Sequence, residues 1–303
     1  MALTVTVGVR GAVAFEAMAI ILLALAAAGA VQGTTVFTDS SSPNLNAAIQ
    51  AWCANASAAT ATYGDVSTWD VSAITNMEGL FSPLYDNTGT YQGAYARDEL
   101  HNCNPNVTSW DTSSVTIMHR TFQFDIGFDQ DIGSWDTSSV TNMVCTFSDS
   151  NAFNQDISGW DVGMVTSFDY MFKNADAFDQ DISGWDLKGT NEIYGMFTGA
   201  ESFNQDLSAW DVSGILVLSE VFQSATSFNQ TICWDVHGKI LVDNFGGTPG
   251  GGWCEEPDKW PTITPTFNVD YATTIPTEYG LQTDMSYGSF GHVKYPTETA
   301  WTW

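Results

Sequence analysis

The chain has 303 residues, 44% of them apolar and 13% aromatic, enough to bury a sizeable core in one large domain or two ordinary ones. Eight Lys and Arg stand against 35 Asp and Glu, a net charge of -27, which repels phosphate backbones and anionic membranes and argues against nucleic acid as a partner. Charged residues total only 14%, which excludes a disordered acidic tail.

Arg10 and Glu16 are the only charges in the first thirty residues, and an apolar run from Ala17 to Ala30 follows them. That run is short for a bilayer crossing, and Ala28-Gly29-Ala30 offers the small residues of a cleavage site. Residues 1–30 therefore read as a secretory signal peptide, cleaved near Ala30. Two other readings stay open. Arg10-Gly11 followed by Ala12 to Met18 resembles a type IV pilin leader, in which Glu16 would become the fifth mature residue, and the segment could also be an uncleaved anchor. Cleavage removes one acid and one base, so the mature charge stays at -27.

Residues 31–61 read as an N-terminal cap. Ser42-Pro43 gives a capping hydroxyl and a proline at the first helical position. Leu45, Ile49 and Trp52 then fall on one face, so a helix lidding the first repeat is expected.

Self-similarity decides the centre of the chain. Trp-Asp pairs begin at Trp69, Trp110, Trp135, Trp160, Trp185, Trp210 and Trp234, spaced 41, 25, 25, 25, 25 and 24 residues apart. The long first interval is one period plus an insertion within 82–102. Two further columns keep the period: Phe122, Phe147, Phe172, Phe197 and Phe222, then Phe128, Phe153, Phe178, Phe203 and Phe228. Ile157 and Trp160, flanked by small polar residues, suit a short kinked strand. Val140, Met143 and Phe147 lie at i, i+3 and i+7, one face of a two-turn helix, behind the capping hydroxyls of Ser138 and Ser139.

One strand and one short helix per turn predict an α/β solenoid, leucine-rich-repeat-like, with about seven turns of 25 residues over 62–245. At about 4.8 Å per turn, the section would be roughly 35 Å long. A single turn cannot offset its own ordering entropy of about 1–2 kcal/mol per residue, so stability would be collective. A glycine-rich stretch, 246–252, opens a C-terminal cap or tail, 246–303, rich in Thr, Pro and Tyr.

Five cysteines in an exported chain suggest two bridges and one thiol left over. Cys53, at the end of the capping helix, is placed to meet Cys103, at a Phe-equivalent position of the second Trp-Asp turn. Cys233–Cys254 would tie the tail to the last turn, leaving Cys145 buried and free.

The units Phe153-Asn-Gln-Asp-Ile-Ser-Gly-Trp-Asp161 and Trp135-Asp-Thr-Ser-Ser-Val-Thr-Asn-Met143 resemble the repeat of BspA-type leucine-rich-repeat surface proteins, also known as the mycoplasmal lipoprotein-associated repeat. The opening segment, Trp52-Cys53 and then Ala61 to Asp70, looks like versions abundant in unicellular algae. The resemblance covers about residues 45–245. It implies an extracellular or cell-surface protein of adhesion, recognition or matrix structure, with no catalytic activity and no agreed ligand.

Candidate chemistry lies in the polar columns. Asp111, Asp136, Asp161, Asp186 and Asp211 would stack like charges about 5 Å apart, each neighbour costing about 0.8 kcal/mol in water. Together with Asp131, Asp156, Asp181 and Asp206 they could form a row of oxygen ligands for Ca2+, the one cofactor considered. The favoured alternative is that each Asp accepts backbone N–H groups of its own turn, because no unit gathers several carboxylates around a Gly. Gln130, Gln155, Gln180, Gln205 and Gln230 could bind sugars but more readily form an amide ladder.

Tyr85, Tyr91 and Tyr95 in the insertion, and Tyr271, Tyr279, Tyr287 and Tyr295 in the tail, either stack on glycans or proteins or cover the solenoid ends. Asn55, Asn106 and Asn229 head N-glycosylation sequons. His101, His119, His237 and His292 lack metal-ligand spacing, and no paired nucleophile and base appears, so no enzyme is expected.

The leading expectation is a secreted or cell-surface structural and adhesive scaffold, with other protein chains (its own copies or surface proteins) or extracellular glycans as partners. No stable membrane insertion is expected after signal cleavage. A monomeric recognition module for glycan or protein is the rival, and a pilin-like filament subunit the third reading.

Overall fold

The computed structural model describes residues 34–38, 44–86, 89–92 and 98–254. The leader 1–30, residues 255–303 of the tail, Tyr95 and the four tail tyrosines lie outside the described residues.

A three-residue strand β1, Val36–Thr38, precedes helix α1, Leu45–Ala54, and helix α2, Ala56–Tyr63. The expected capping helix forms, but its cap is Asn44 and not Ser42: the Asn44 side chain accepts from the Asn46 N–H at 2.8 Å. Leu45, Ala48 and Ile49 give α1 its buried face, and Trp52 packs partly against the core. Asn55 then serves both helices. Its backbone N–H bonds to the Ala51 carbonyl at the end of α1, while its side chain accepts from Ala58 N–H to start α2.

From β2, Asp70–Ala73, the chain winds in turns that lie on one another. The Phe column runs Phe81, Phe122, Phe147, Phe172, Phe197, Phe222 and Phe245, with successive centroids 5.0, 5.3, 5.7, 5.6, 5.6 and 5.6 Å apart. The second Phe column lies beside it, so that Phe147 and Phe153, six residues apart in the chain, are 3.9 Å apart and within 8° of parallel. Trp69, Trp110 and Trp135 stack at 6.3 Å per step. Each buried indole also needs an acceptor. Trp135, Trp160, Trp185 and Trp210 each donate Nε1–H to the carbonyl 28 residues earlier: Val107, Ile132, Ile157 and Ile182.

Two local expectations are corrected. The Ile-x-x-Trp segment is a tight turn, with Trp160 N–H bonded to the Ile157 carbonyl at 3.1 Å, and not a strand. Parallel pairing passes instead seven residues beyond each Trp, through single bridges Asn76–Ile117–Asn142–Ser167–Glu192. Proper strands occur near the two ends. At the start β1 pairs with β2; toward the other end β3 (Val217–Ser219) pairs with β5 (Ile240–Val242), and β4 (Thr231–Ile232) with β6 (Gly252–Trp253), all in parallel.

The segment from Val140 to Phe147 is not helical either. Its i, i+3, i+7 spacing does bury Val140, Met143 and Phe147. The backbone, however, swings into the left-handed region at Cys145 and again at Asp149, with φ 56° and 60°. The same two positions are left-handed in the neighbouring turns: Arg120 and Phe124, Tyr170 and Asn174, Gly195 and Gly199, Glu220 and Ser224.

The reversal splits the donors. Cys145, Phe147 and Asp149 give their N–H to Asp169, Met171 and Lys173 of the next turn, whereas Thr146, Ser148 and Ser150 bond three residues back. A helix would spend every N–H on its own carbonyls and leave none to join the turns. Interturn bonding outweighs a strain of about 1–2 kcal/mol for each non-glycine residue held left-handed.

Candidate functional site

The acidic columns come first. Asp111, Asp136, Asp161, Asp186 and Asp211 are all exposed. Each accepts the N–H two residues on: Ser113 at 3.1 Å, Ser138 at 3.0 Å, Gly163 at 3.1 Å, Lys188 at 3.1 Å and Ser213 at 2.9 Å. Asp131, Asp156, Asp181 and Asp206 do the same with Gly133, Ser158, Ser183 and Ser208. Hydrogen bonds from the Ser138 hydroxyl and N–H hold Asp136 below the usual carboxylate range, and Ser213 does likewise for Asp211. The carboxylates thus shape their own turns. Among the described residues no group of three or more His, Cys, Asp or Glu is placed to hold a metal ion, and a Ca2+ shell needs six to eight oxygens.

A ladder runs between the turns beside them. Gln155 Nε2 donates to Asp129 Oδ1 at 2.8 Å, Gln180 to Asn154 Oδ1 at 2.8 Å, and Gln205 to Asp179 Oδ1 at 2.8 Å. The same oxygens accept the N–H of Asn154, Asp179 and Asn204. Along this column the residues alternate: Asn104, Asp129, Asn154, Asp179, Asn204. Each carboxylate is separated from the next by a neutral amide, which halves the density of like charge where solvent is partly excluded.

A polar cluster that the sequence did not disclose lies where the insertion meets the first turns. Glu78 Oε1 accepts from Tyr85 OH at 2.8 Å and lies 3.2 Å from His119 Nδ1. These bonds, His119 foremost, hold the Glu78 carboxyl below its usual range against burial. Tyr85 is fully buried and bridges in antiparallel fashion to Tyr91, whose ring carries the Arg120 guanidinium at 4.8 Å.

Nearby, Asp125 is completely buried and accepts from the Cys103 and Gly127 N–H groups. Burial raises its pKa well above the carboxylate range. Two turns further on, burial and Glu192 push Asp169 up to about 7, while Tyr194 N–H donates to it at 2.7 Å. The signal for these residues was there, as exceptions within columns: Asp125 stands where later turns carry Ser150, Ala175, Ala200 and Ala225.

The disulfides join Cys53 to Cys103 and Cys233 to Cys254. Cys145 is free and buried, its thiol pushed up to about 11 by desolvation, so it is a poor nucleophile. Asn55, Asn106 and Asn229 are all exposed. Two disulfides fit an oxidising compartment. Among the described residues no helix is long and apolar enough to cross a membrane.

Four successive intervals of 25 residues, joined by the same indole and amide bonds through the interior turns, define a tandem-repeat protein. The chain matches the family described as Mycoplasma protein of unknown function, DUF285, over residues 49–87, 91–201 and 177–244, and it belongs to that family. The second and third matches overlap, as repeats of one period allow. No curated protein and no solved structure matches it.

Proposed function

We propose that the protein is an extracellular or cell-surface structural and adhesive scaffold, a leucine-rich-repeat-like solenoid that self-associates or builds matrix. Within its family it would be a version like those of unicellular algae, exported by the leader 1–30 and without catalytic activity. Its partners would be copies of itself, surface proteins or extracellular glycans.

The observation that carries this reading is the repetition of one rigid joint. The indole-to-carbonyl bond recurs through Trp135, Trp160, Trp185 and Trp210, and the Gln ladder through the same turns. Such a stack holds its surface columns at fixed spacing, which suits a spacer or lattice subunit more than a hinge-driven machine. Its exposed aspartates recur as columns that shape their own turns, which is how structural carboxylates are used and not the singular constellation of an active site.

Sedimentation of the chain lacking residues 1–30, with and without Ca2+, tests the proposal. Concentration-dependent assembly that is lost on deleting residues 250–303 is the expected result. A stable monomer that keeps a ligand would favour the recognition module instead.

A further inference from the structure

Midway along the stack, two tyrosines stand in columns that hold no other tyrosine. Tyr170 follows Arg120 and Cys145 in its column, and Tyr194 follows Val144 and Asp169 in the next. They are 24 residues apart in the chain and meet across a single joint between turns. Their ring centroids lie 4.9 Å apart at 83°, so the edge of one ring points at the face of the other. Their side chains also share a hydrogen bond, hydroxyl to hydroxyl. An ortho carbon flanks each hydroxyl, so that bond keeps ortho carbons of the two rings near each other.

The backbone fixes the pair. Tyr170 N–H donates to the Tyr194 carbonyl at 2.8 Å, and Tyr194 N–H donates to Asp169 Oδ1 at 2.7 Å. The Tyr170 ring lies against Gly195 and carries Lys173 Nζ 5.0 Å from its centroid. Both tyrosines are half-buried, open to a small reagent yet held in position. The other tyrosine pair among the described residues differs. Tyr85 and Tyr91 lie 5.4 Å apart, but Tyr85 is fully buried and gives its hydroxyl to Glu78, and the Tyr91 ring carries Arg120.

We propose that Tyr170 and Tyr194 form a cross-link site, which peroxide oxidation joins into one dityrosine between the turn begun by Trp160 and the turn begun by Trp185. Each hydroxyl loses one hydrogen atom to the oxidant. The two radicals share their spin with the ortho carbons, and one carbon–carbon bond forms between those carbons. The hydrogen on each joined carbon then moves to its own oxygen, which restores both phenols. Two hydrogen atoms have left, and one molecule of hydrogen peroxide takes them up as two of water. Holding the two rings together makes the coupling unimolecular, so it outruns coupling between chains. The bond would staple the joint where two acids, Asp169 and Glu192, repel each other. None of this rests on the scaffold reading.

The test treats the chain without residues 1–30, at low concentration, with hydrogen peroxide and a haem peptide small enough to reach half-buried rings. Proteolysis and mass spectrometry then map the products. The expected result is dityrosine fluorescence from one linked pair of peptides, carrying Tyr170 and Tyr194 and lighter than their sum by two hydrogens. Its yield per chain should not change on dilution, and chain mass should show no dimer. Tyr170→Phe and Tyr194→Phe, each checked for folding by the tryptophan near-ultraviolet signal, should both lose that linked pair. Linkage confined to other tyrosines, a yield that falls with dilution, or no linkage in the folded unaltered chain would overturn the proposal.

Discussion

The ring of Tyr170 covers the backbone of Gly195 in the next turn: a Cβ on Gly195 would lie 2.6 Å from the ring atom Cε1. Gly195 is also left-handed, with φ 56°. Gly195→Ala therefore meets two objections, a backbone cost of about 1–2 kcal/mol and a collision that must move the ring. Chemical denaturation should show a loss of at least about 1–2 kcal/mol. Adding Tyr170→Ala should recover part of it, because the collision goes and the backbone cost stays.

The indole bonds give a second prediction. Trp160→Phe keeps an aromatic ring in its column but removes the indole donor 3.0 Å from the Ile132 carbonyl, which keeps the Trp135 N–H as a partner at 3.1 Å. The expected loss is that of one hydrogen bond, about 0.5–1.5 kcal/mol in a denaturant titration. Phe172→Ala removes a fully buried ring instead and should cost about 3–5 kcal/mol.

The alternating column predicts a salt effect. Asn154→Asp would place carboxylates in three successive turns, with Asp129 below and Asp179 above, while leaving an acceptor for Gln180. Stability should fall by about 1 kcal/mol per new neighbour at low salt and recover as salt rises. Gln180→Leu, which removes a donor without adding charge, should show no such recovery.

Asp169 gives a pH dependence of defined sign. Its carboxyl is raised to about 7 in the fold from an ordinary value of 3.8. Between those values the folded chain holds a proton that the unfolded chain has released, so this group's contribution is present below the unfolded pKa and is lost as pH rises through about 7. Asp125, also raised, adds to the same trend. Asp169→Asn, which keeps an acceptor for the Tyr194 N–H, should flatten the decline in melting temperature between about pH 4 and pH 7. The exposed Asp136 and Asp211 are lowered and act oppositely, losing their contribution as pH falls through their folded values.

The residues that repeat were readable from the sequence, and the way the backbone carries them was not. Phe147, Phe172 and Trp160 announce their columns by spacing alone; Phe147 stacks on Phe172, and Trp160 packs on Phe147 of the neighbouring column. The helical spacing of Val140, Met143 and Phe147 correctly put all three in the core. It gave the wrong conformation because the left-handed positions carry no common residue type: Arg120, Cys145, Tyr170, Gly195 and Glu220 share a conformation and little chemistry. Only Gly195 hints at it locally. The others are held there by interturn bonds, which sequence propensity does not register.

The polar cluster was illegible for a related reason. Glu78 and His119 each lie nine residues beyond their Trp, so they share a column once the 41-residue interval is read as one turn. The residue types in that column do not repeat, however, and Tyr85, from the insertion, belongs to no column. Tyr170 and Tyr194 were legible in principle, since each is the one tyrosine of its column, but only after the columns had been defined.

The stacking of whole turns is tested most directly by excision. Removing residues 153–202 takes out two turns and sets Asp129 beneath Asn204, so the amide ladder stays in phase. Removing residues 153–189 ends partway through a turn and puts every column out of register. The first deletion should retain the near-ultraviolet tryptophan signal and a single cooperative melt, at lower stability, while the second loses both. Equal behaviour of the two deletions, folded or unfolded, would contradict the stack.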